Sequence, residues 1–282
     1  MTKYKFISKN TTKYIDLHDC ICSHLYYKNK KLIFEMDWME ILSSHPLNTY
    51  NEAHQSSEGI IELKSPTILN IETYKYNGDK IEPPELKNFD FYNLEINDYD
   101  EFFISKEYSY ITFYGSNTNK DEEYDYITFD CLFKESTVKW NELKNISWFE
   151  NKIFKKELDQ HEILKMLSKN NSKEIQKQGL ELSLSIRHLG FFFQPLVENA
   201  KKSTWKNCAL ILSNKSDEVL KPWLLNCFLW LQDMKNPGAN IIKKRLINFK
   251  DKEVLKIAKD EALKIADIIN NDLFAKSIKK IN

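Results

Sequence analysis

The sequence predicts an α+β protein in which an N-terminal antiparallel β domain, residues 1–150, precedes a C-terminal all-α domain, residues 151–282. Three observations lead to this prediction. Runs of β-branched and aromatic residues separated by turn residues fill the first half of the chain. Between Asn145 and Glu157 the apolar spacing changes from two residues towards 3.6. The segment 222–238 is apolar around most of its circumference, which is typical of a helix that is covered on two sides.

The clearest strand signal is a β-hairpin between Ile15 and Trp38. Residues 20–27 are predicted as one strand and 28–30 as the turn, and the following residues alternate between apolar and charged side chains, as a half-buried strand requires. Further strands are predicted at 59–64, 67–76, 90–96, 102–114, 124–133 and 136–143, with turn sequences such as Asn97-Asp98 between them. This succession favours an antiparallel sheet that forms a sandwich or a small barrel.

Helices are expected through the rest of the chain, at 160–168, 173–189, 194–200, 204–212, 217–234, 237–249, 252–269 and 273–281. Ser172, Ser203, Ser216 and Asp251 stand where N-caps are needed. Asn236 is predicted to be an N-cap as well, with Pro237 as the first residue of its helix. Pro222 lies one turn inside its predicted helix, so that helix either kinks there or begins near Lys221.

Helices of this length joined by short loops form antiparallel pairs, and stacked pairs bury a helix that is apolar all round. The helical half contains no self-similar motif at a fixed period. A short HEAT-like stack is therefore the architecture predicted for residues 151–282, and an irregular helical bundle is the alternative.

Composition excludes a disordered chain, because 42% of the 282 residues are hydrophobic and 13% are aromatic. The formal net charge of 0 conceals an asymmetry between the halves. Residues 1–150 contain 16 Lys and Arg against 26 Asp and Glu, hence −10, and residues 151–282 contain 25 against 15, hence +10. This asymmetry points to attraction between the halves or to charged partners.

The five cysteines, which are Cys20, Cys22, Cys131, Cys208 and Cys227, lack the paired spacing of a zinc site or a disulfide scaffold, so we expect them to be reduced. The N-terminus has no apolar stretch of signal-peptide length, and no run of about 18 apolar residues occurs. We therefore expect a soluble cytoplasmic protein that has no cofactor and no membrane as a partner.

Residues with catalytic or metal-binding chemistry are few. His18, Asp19 and Cys20 suggest a nucleophile beside its base, but neighbours on a strand point to opposite faces, so a polar turn entering a strand is favoured. Cys20, Cys22 and His24 have the alternate spacing that would collect a metal on one strand face, but a lone triplet of this kind more often packs.

Two further histidines, His161 and His188, have no carboxylate at a spacing that would indicate a catalytic pair. Glycine occurs only six times and forms no phosphate loop. We therefore expect that this protein is not an enzyme. A site centred on His18, Cys20 and Cys22 is the remaining catalytic alternative.

The acidic clusters give the most informative site prediction. Segments 97–101 (NDYDE) and 121–125 (DEEYD) place carboxylates and two tyrosines in or beside predicted loops. Opposite potentials speed the encounter of two proteins, and tyrosine offers a large, stiff contact surface. The predicted partner-binding residues are Asp98, Tyr99, Asp100, Glu101, Asp121, Glu122, Glu123, Tyr124 and Asp125. The alternative is loop charge that is merely solvated.

A basic stripe is predicted on the helical half, formed by Lys201, Lys202, Lys206, Lys243, Lys244 and Arg245. Lysines and arginines arranged in this way bind phosphate backbones. Specific nucleic-acid signatures such as a helix-turn-helix are missing, so nucleic acid is the less favoured partner and the runner-up function.

The segment 230–249, WLQDMKNPGANIIKKRLINF, resembles a family of small bacterial HEAT-like proteins of unknown function, in which a tryptophan-leucine-x-aspartate segment precedes a proline-started helix. The family's second tryptophan before the proline is Asn236 here. Residues 17–20 (LHDC) and 138–142 (VKWNE) are similar to a β-rich module of bacterial proteins, some of them encoded beside polymorphic toxins. Together the resemblances imply an immunity protein that occludes the active site of a cognate toxin, and they supply no catalytic residue.

Overall fold

The computed structural model describes residues 4–118, 124–150, 160–186, 189–198 and 200–281. The chain divides into two compact units, Met1–Lys156 and Glu157–Asn282, which we call the β unit and the α unit. Antiparallel strands form the first unit and helices form the second, so the predicted α+β class is confirmed.

Strands of the β unit form two sheets. Their bounds are β1 Phe6–Lys9, β2 Ile15–Asp16, β3 Ile21–Lys28, β4 Lys31–Met36, β5 Glu40–Ile41, β6 His54–Ser56, β7 Gly59–Lys64, β8 Thr67–Tyr74, β9 Lys80–Ile81, β10 Asp90–Phe103, β11 Ser109–Asn117, β12 Tyr126–Phe133, β13 Glu135–Trp140 and β14 Leu143–Ile146. The larger sheet has the order β1-β13-β7-β4-β3-β10-β11-β12-β8-β9, and the smaller has the order β14-β6-β5-β2. Every pairing in the described part of the chain is antiparallel.

The predicted hairpin is confirmed as β3 and β4, with a tight turn at Asn29 and Lys30. Both turn residues have positive φ, 53° and 61°. A two-residue turn of this kind matches the right-handed twist of the flanking strands, which explains the tight connection.

The large sheet is strongly curled around one hydrophobic core. The rings of Phe34 on β4 and Phe129 on β12 have centroids 6.4 Å apart. These strands are four positions apart in the sheet, which would separate them by about 19 Å if the sheet were flat. The two halves of the sheet therefore face each other, with Phe113 stacked on Phe129 between them at 4.7 Å. The concave face is the core, and the convex face is called the outer face below.

One predicted turn is wrong. Asn97-Asp98 was expected to separate two strands, but β10 continues from Asp90 to Phe103. The register against β11 shifts between Ile96 and Asp98, so Asn97 is the extra residue of a β-bulge. A bulge absorbs a turn-forming residue without ending the strand, because it adds one residue to one strand of a ladder.

Helices of the α unit are α1 Gln160–Met166, α2 Lys173–Leu182, α3 Trp205–Asn214, α4 Asp217–Leu220, α5 Leu224–Leu229, α6 Ala239–Ile247, α7 Lys252–Ile268 and α8 Asp272–Lys279. Helix α1 packs on α2, α3 on α6, and α7 on both α5 and α8. The predicted helix 194–200 is instead a short 3-10 turn, Gln194–Leu196, which contains Pro195. None of these helices, within the described residues, is long and apolar enough to cross a membrane.

The predicted N-caps Ser172, Ser216 and Asp251 are confirmed, since each side chain accepts a hydrogen bond from the backbone N–H three residues on. Ser203 is not a cap, because α3 is preceded by Thr204. The predicted helix 217–234 is broken into α4, a 3-10 turn at Lys221–Trp223, and α5. Proline inside a helix removes a backbone donor and clashes with the preceding turn, which accounts for the break at Pro222.

The start predicted at Asn236 and Pro237 is also wrong, because α6 begins at Ala239 after Gly238. Gly238 has a φ of +89°, and a Cβ placed there would lie 2.5 Å from the Cβ of Ala209. The close approach of α3 requires glycine here and sets where α6 begins.

Candidate functional site

Three tyrosines lie together on the outer face of the large sheet. Tyr126 on β12 contacts Tyr114 on β11, with ring centroids 5.9 Å apart, and Tyr76 in the β8–β9 turn, at 5.3 Å. Tyr76 is 80% exposed. A hydrogen bond with Tyr76 is the main cause that raises the pKa of Tyr126. These rings line a groove of about 520 Å³ together with Glu95, Asn97, Ser116, Asn117, Thr118 and Asp125, and we call it the tyrosine groove.

Strand pairing explains why the rings meet. Ser116 is opposite Tyr126, and Gly115 between Tyr114 and Ser116 is opposite the buried Ile127. Alternation along each strand therefore turns Tyr114, Ser116 and Tyr126 to the outer face. Diagonal neighbours on adjacent strands are within reach of aromatic rings, so Tyr114 and Tyr126 stack.

The bulge at Asn97 brings two of the predicted residues to this face. Ile96 faces the core, so regular alternation would also turn Asp98 and Asp100 inward. The extra residue reverses the alternation, and Asp98 pairs with Tyr114 while Asp100 pairs with Thr112. The structure thus places Asp98 beside the tyrosine groove, on a strand rather than in the predicted loop.

Other predicted residues turn the opposite way. Tyr99 and Glu101 pair with Phe113 and Ile111, whose side chains are in the core, and Tyr99 packs against that core. Burial raises the pKa of the Tyr99 hydroxyl, and the nearby Glu101 carboxylate raises it further. The prediction that Tyr99 and Glu101 lie in or beside a loop is therefore wrong, because both residues are on β10 and their side chains follow the alternation of that strand.

Tyr124 is buried as well, although it was predicted to contact a partner. Its ring lies edge-on to Phe91, with centroids 5.0 Å apart, and belongs to the core cluster. An aromatic ring adjacent to acidic residues is thus used for packing here. The correction removes Tyr124 from any exposed contact surface.

Asp125, the last residue of the acidic segment, bonds to residues of two other parts of the β unit. Its carbonyl accepts from the N–H of Asn117 at 2.7 Å, and its Oδ2 accepts from the N–H of Tyr76 at 2.6 Å. Asp125 therefore holds Tyr76 in place beside Tyr126. The predicted residues Asp121, Glu122 and Glu123 lie outside the described residues, in the segment that joins Thr118 to Tyr124.

Sequence reasoning missed Tyr76, Tyr114 and Tyr126, whose rings line the groove. The alternation along β11 contained the signal. Ile111 and Phe113 face the core, so the next residue, Tyr114, must face the other side of the sheet. The diagonal meeting of Tyr114 with Tyr126 depends on the register between strands, which a single strand pattern does not give.

The residues that were considered as a metal triplet do not share one face. Cys20 and Cys22 are fully buried in the core, whereas His24 is on the outer face. The register of β3 against β4 shifts between Cys22 and His24, so Ser23 is the extra residue of a second bulge and reverses the alternation. The part of the chain that the structure describes contains no group of three or more His, Cys, Asp or Glu arranged to hold a metal.

Cys20 is also poorly placed to be a nucleophile. His18 does approach Asp19, with Nε2 3.5 Å from Oδ1, because Asp19 adopts a positive φ of 61°. The Cys20 thiol, however, is buried beside the Asp16 carbonyl, and burial raises its pKa. A thiol with a raised pKa carries little thiolate, which is the reactive form.

A buried serine–histidine pair, Ser8 and His45, is arranged for packing and not for catalysis. The backbone N–H of Leu47 donates to His45 Nδ1 at 3.1 Å, so Nε2 carries the proton and donates to Ser8 Oγ at 3.2 Å. A histidine that donates to the hydroxyl cannot take its proton as a base. Burial lowers the pKa of His45 to about 4, which keeps the ring neutral.

The predicted basic stripe of the α unit is smaller than expected. Arg245 donates from Nη2 to Asp217 Oδ1 at 2.5 Å and to the Lys215 carbonyl at 3.0 Å, and its side chain is only 12% exposed. It therefore ties α6 to the start of α4. Lys202 donates to Asn236 Oδ1 at 3.1 Å and lies over the ring of Trp205. Lys201, Lys206 and Lys244 are exposed.

The outer face of the β unit combines aromatic and acidic side chains. It offers large rings with hydroxyl donors, flanked by carboxylates, on a hydrogen-bonded sheet. When this chain was compared with known proteins, no family model, no curated protein and no solved structure matched it.

Proposed function

We propose that this chain is a cytoplasmic immunity-type protein that binds a cognate bacterial toxin and neutralises it by occluding the toxin's active site. The observation that carries the proposal is the tyrosine groove, where Tyr76, Tyr114 and Tyr126 meet beside Asp98 and Asp125. The HEAT-like character of the α unit and the bacterial context belong to the same proposal and rest on the resemblances of the two halves.

Tyrosine rings that solvent can reach, largely at Tyr76 and partly at Tyr114 and Tyr126, are useful at an interface. Each ring brings a large apolar area together with a hydroxyl, and it loses few rotamers on binding. Here the rings are held by neighbouring strands and by the Asp125 hydrogen bond to the Tyr76 backbone. A partner would meet a surface that is already organised, which reduces the entropic cost of association.

The charges around the groove favour a basic partner. Glu95, Asp98 and Asp125 lie at or beside its rim, and the sequence adds Asp121, Glu122 and Glu123 in the adjoining segment. Like-signed carboxylates speed the encounter with a positively charged surface and disfavour acidic proteins. A toxin that binds nucleic acid, with a basic active-site cleft, has the complementary potential.

Co-purification tests the proposal first. The tagged chain is expressed in its native host, washed at moderate salt, and its bound molecules are identified. We expect a stoichiometric protein that is lethal when it is expressed alone and harmless together with this chain. Recovery of nucleic acid without a protein would instead support the runner-up, a nucleic-acid-binding role for the exposed lysines of the α unit.

Charge reversal then tests the surface. With the partner in hand, Asp121→Lys, Glu122→Lys and Glu123→Lys together should slow association at least about tenfold at low salt, with little change at high salt. The matched control reverses three exposed glutamates of the same unit, Glu58, Glu107 and Glu142. Equal slowing in both triple variants would mean that net charge alone matters, and would remove the tyrosine groove from the interface.

A further inference from the structure

A second cluster on the outer face of the β unit is built around His24. Its imidazole lies between two tyrosine rings, with centroids 4.2 Å from Tyr26 and 4.2 Å from Tyr92. Its Nε2 donates to Asp90 Oδ1 at 2.6 Å, and its Nδ1 is 4.0 Å from Glu35 Oε2. Two carboxylates thus face the two nitrogens of a planar ring that is stacked on Tyr92 and tilted by 31° against Tyr26.

Strand register gathers these side chains from three neighbouring strands. Glu35 on β4 is opposite His24 on β3, and His24 is opposite Tyr92 on β10. Tyr26 and Asp90 form the next cross-strand pair. The bulge that reverses the alternation after Cys22 turns His24 to this face, and bulges of this kind commonly re-aim a side chain at a functional site.

The cluster lines a groove of about 620 Å³, which we call the histidine groove. Tyr92 is 42% exposed, and the side chains of Glu35 and Asp90 are 42% and 56% exposed. Lys87 at the rim is paired with Glu85 at 2.6 Å. Lys28 also lines the groove. The groove therefore has two carboxylates, Glu35 and Asp90, and only one lysine that is not paired with Glu85.

The carboxylates keep acceptor capacity after their internal contacts. Glu35 Oε1 accepts from the Tyr26 hydroxyl at 2.9 Å, and Asp90 Oδ2 lies 3.5 Å from the Tyr92 hydroxyl. An ionised carboxylate has about four lone-pair sites, so both groups can accept further donors. Burial and the bond to Glu35 raise the pKa of Tyr26 to about 12, so its hydroxyl stays a donor.

We propose that the histidine groove binds an arginine side chain of a protein partner, with the guanidinium stacked on the tyrosine rings and donating to Asp90 and Glu35. A guanidinium is planar and carries its N–H donors in its plane, so it can stack on an aromatic face and bond to carboxylates at its edge. His24 already makes the same combination of contacts within the chain. Lysine, a compact and strongly hydrated charge, would use the carboxylates without the stacking.

This proposal does not rest on the toxin or on the tyrosine groove, and a small probe tests it directly. N-acetyl-arginine amide is titrated into the isotope-labelled full chain, and the ring resonances of His24, Tyr26 and Tyr92 are followed. We expect saturable shifts with a Kd on the order of millimolar, which is the scale for a ligand of this size. N-acetyl-citrulline amide has the same shape without the charge, and should bind at least about fivefold more weakly.

Variants locate the probe. Asp90→Asn and Glu35→Gln should each weaken arginine binding at least about threefold, since each removes a charge that accepts from the guanidinium. Tyr92→Phe should retain binding and Tyr92→Ala should lose it, because stacking needs the ring but not the hydroxyl. Unchanged backbone amide spectra confirm that a variant is folded, and Tyr126→Ala in the other groove should bind the probe like the parent.

Three results would overturn the inference. One is the absence of saturable shifts at these rings. Another is an equal response to citrulline, which would show that charge is not recognised. The last is arginine binding that survives in the folded double variant Asp90→Asn with Glu35→Gln, which would place the probe elsewhere on the chain.

Discussion

The two units use their polar side chains differently. In the α unit, long cations bond to the chain itself: Lys215 Nζ donates to the carbonyls of Ser183, Leu184 and Ile186, and Arg245 donates to Asp217 and to the Lys215 carbonyl. In the β unit, Lys31 and Lys139 bond instead to the side-chain carboxylate of Glu62, and further rings and carboxylates gather at the tyrosine groove and the histidine groove.

Backbone geometry explains the difference. A helix leaves its last four carbonyls without an internal partner, and the α unit consists of short helices with many such ends. Lys215 meets this need where α2 gives way to the 3-10 turn at Ser183–Ser185. A sheet pairs its carbonyls and N–H groups between strands, so the side chains on its outer face are not needed as partners for the backbone. A charge in the α unit is therefore first a candidate for a structural role.

The largest effect should come from breaking the Arg245–Asp217 pair. Arg245→Ala leaves the Lys215 carbonyl without this donor and takes the guanidinium from the part-buried Asp217 carboxylate, which keeps only the Lys250 N–H of these two donors, so we expect the free energy of unfolding of the α unit to fall by about 3 kcal/mol. Hydrogen exchange of the full chain, followed on peptides from α4 and α6, measures the loss locally.

Arg245→Lys is the matched variant for this prediction. It keeps the positive charge but lacks the planar group that reaches two acceptors, so it should lose a smaller part of the stability. A loss below about 1 kcal/mol for Arg245→Ala would class the pair with ordinary surface bridges. The contrast between the units would then be weaker than the geometry suggests.

His45 is a polar side chain with a structural role inside the β unit, and its effect on stability can be measured through pH. Burial lowers its pKa to about 4 from an ordinary 6.5, so between these values the unfolded chain binds more protons than the folded chain. The stabilisation is complete above pH 6.5 and is lost as the pH falls towards 4. The shift corresponds to about 3 kcal/mol, measured as the pH dependence of denaturant unfolding.

The reference for this measurement is His45→Gln, read as a difference from the parent at each pH. Burial raises the pKa of Glu40, which contributes the opposite slope over part of the same range, and the subtraction removes that contribution because it is present in both proteins. If the free energy of unfolding depends on pH in the same way in the parent and the variant, protonation of His45 does not destabilise the fold. That result would contradict the neutral ring whose tautomer is fixed by the Leu47 N–H.

Much of the β unit could be predicted from local patterns, because alternation and turn residues act within a few positions. The hairpin at Asn29 and Lys30 is an example, and its register follows from the turn itself. The bulges at Ser23 and Asn97 could not be predicted, since an extra residue is fixed by pairing with a neighbouring strand. Each bulge reverses the facing of the side chains that follow it, which is why His24 does not share a face with Cys20 and Cys22 and why Asp98 lies on the outer face although Ile96 faces the core.

The candidate site was predicted in its chemistry but less well in its members. Acidic residues beside tyrosines do mark this region, and Asp98 and Asp125 lie at the tyrosine groove. Tyr124, however, packs in the core against Phe91, which lies on β10 and is distant in the sequence. A sequence shows that a ring is near a charge, but only tertiary packing decides whether that ring faces the solvent.

The tyrosines themselves should carry a smaller but clear effect on partner affinity. Tyr76→Ala and Tyr126→Ala should each weaken the binding of the cognate partner by about 2 kcal/mol, roughly thirtyfold in Kd, because central aromatic residues dominate interface energies. Tyr50→Ala is the matched control, since Tyr50 is also exposed, at 52%, and is stacked on His54 at 4.1 Å. An equal loss in the control would mean that the groove is not the interface.

The smallest effect is expected at the exposed lysines of the α unit, and it sharpens the contrast with Arg245. Lys201 and Lys206 are exposed before and at the start of α3, so Lys201→Glu and Lys206→Glu should change the unfolding free energy by no more than about 0.5 kcal/mol each. The same variants should leave partner affinity unchanged if the β unit carries the interface. Denaturant unfolding and titration of the partner measure both quantities on one preparation. Stability that is retained while partner affinity falls would show that the α unit also presents charge for binding, and the division of labour between the units would have to be abandoned.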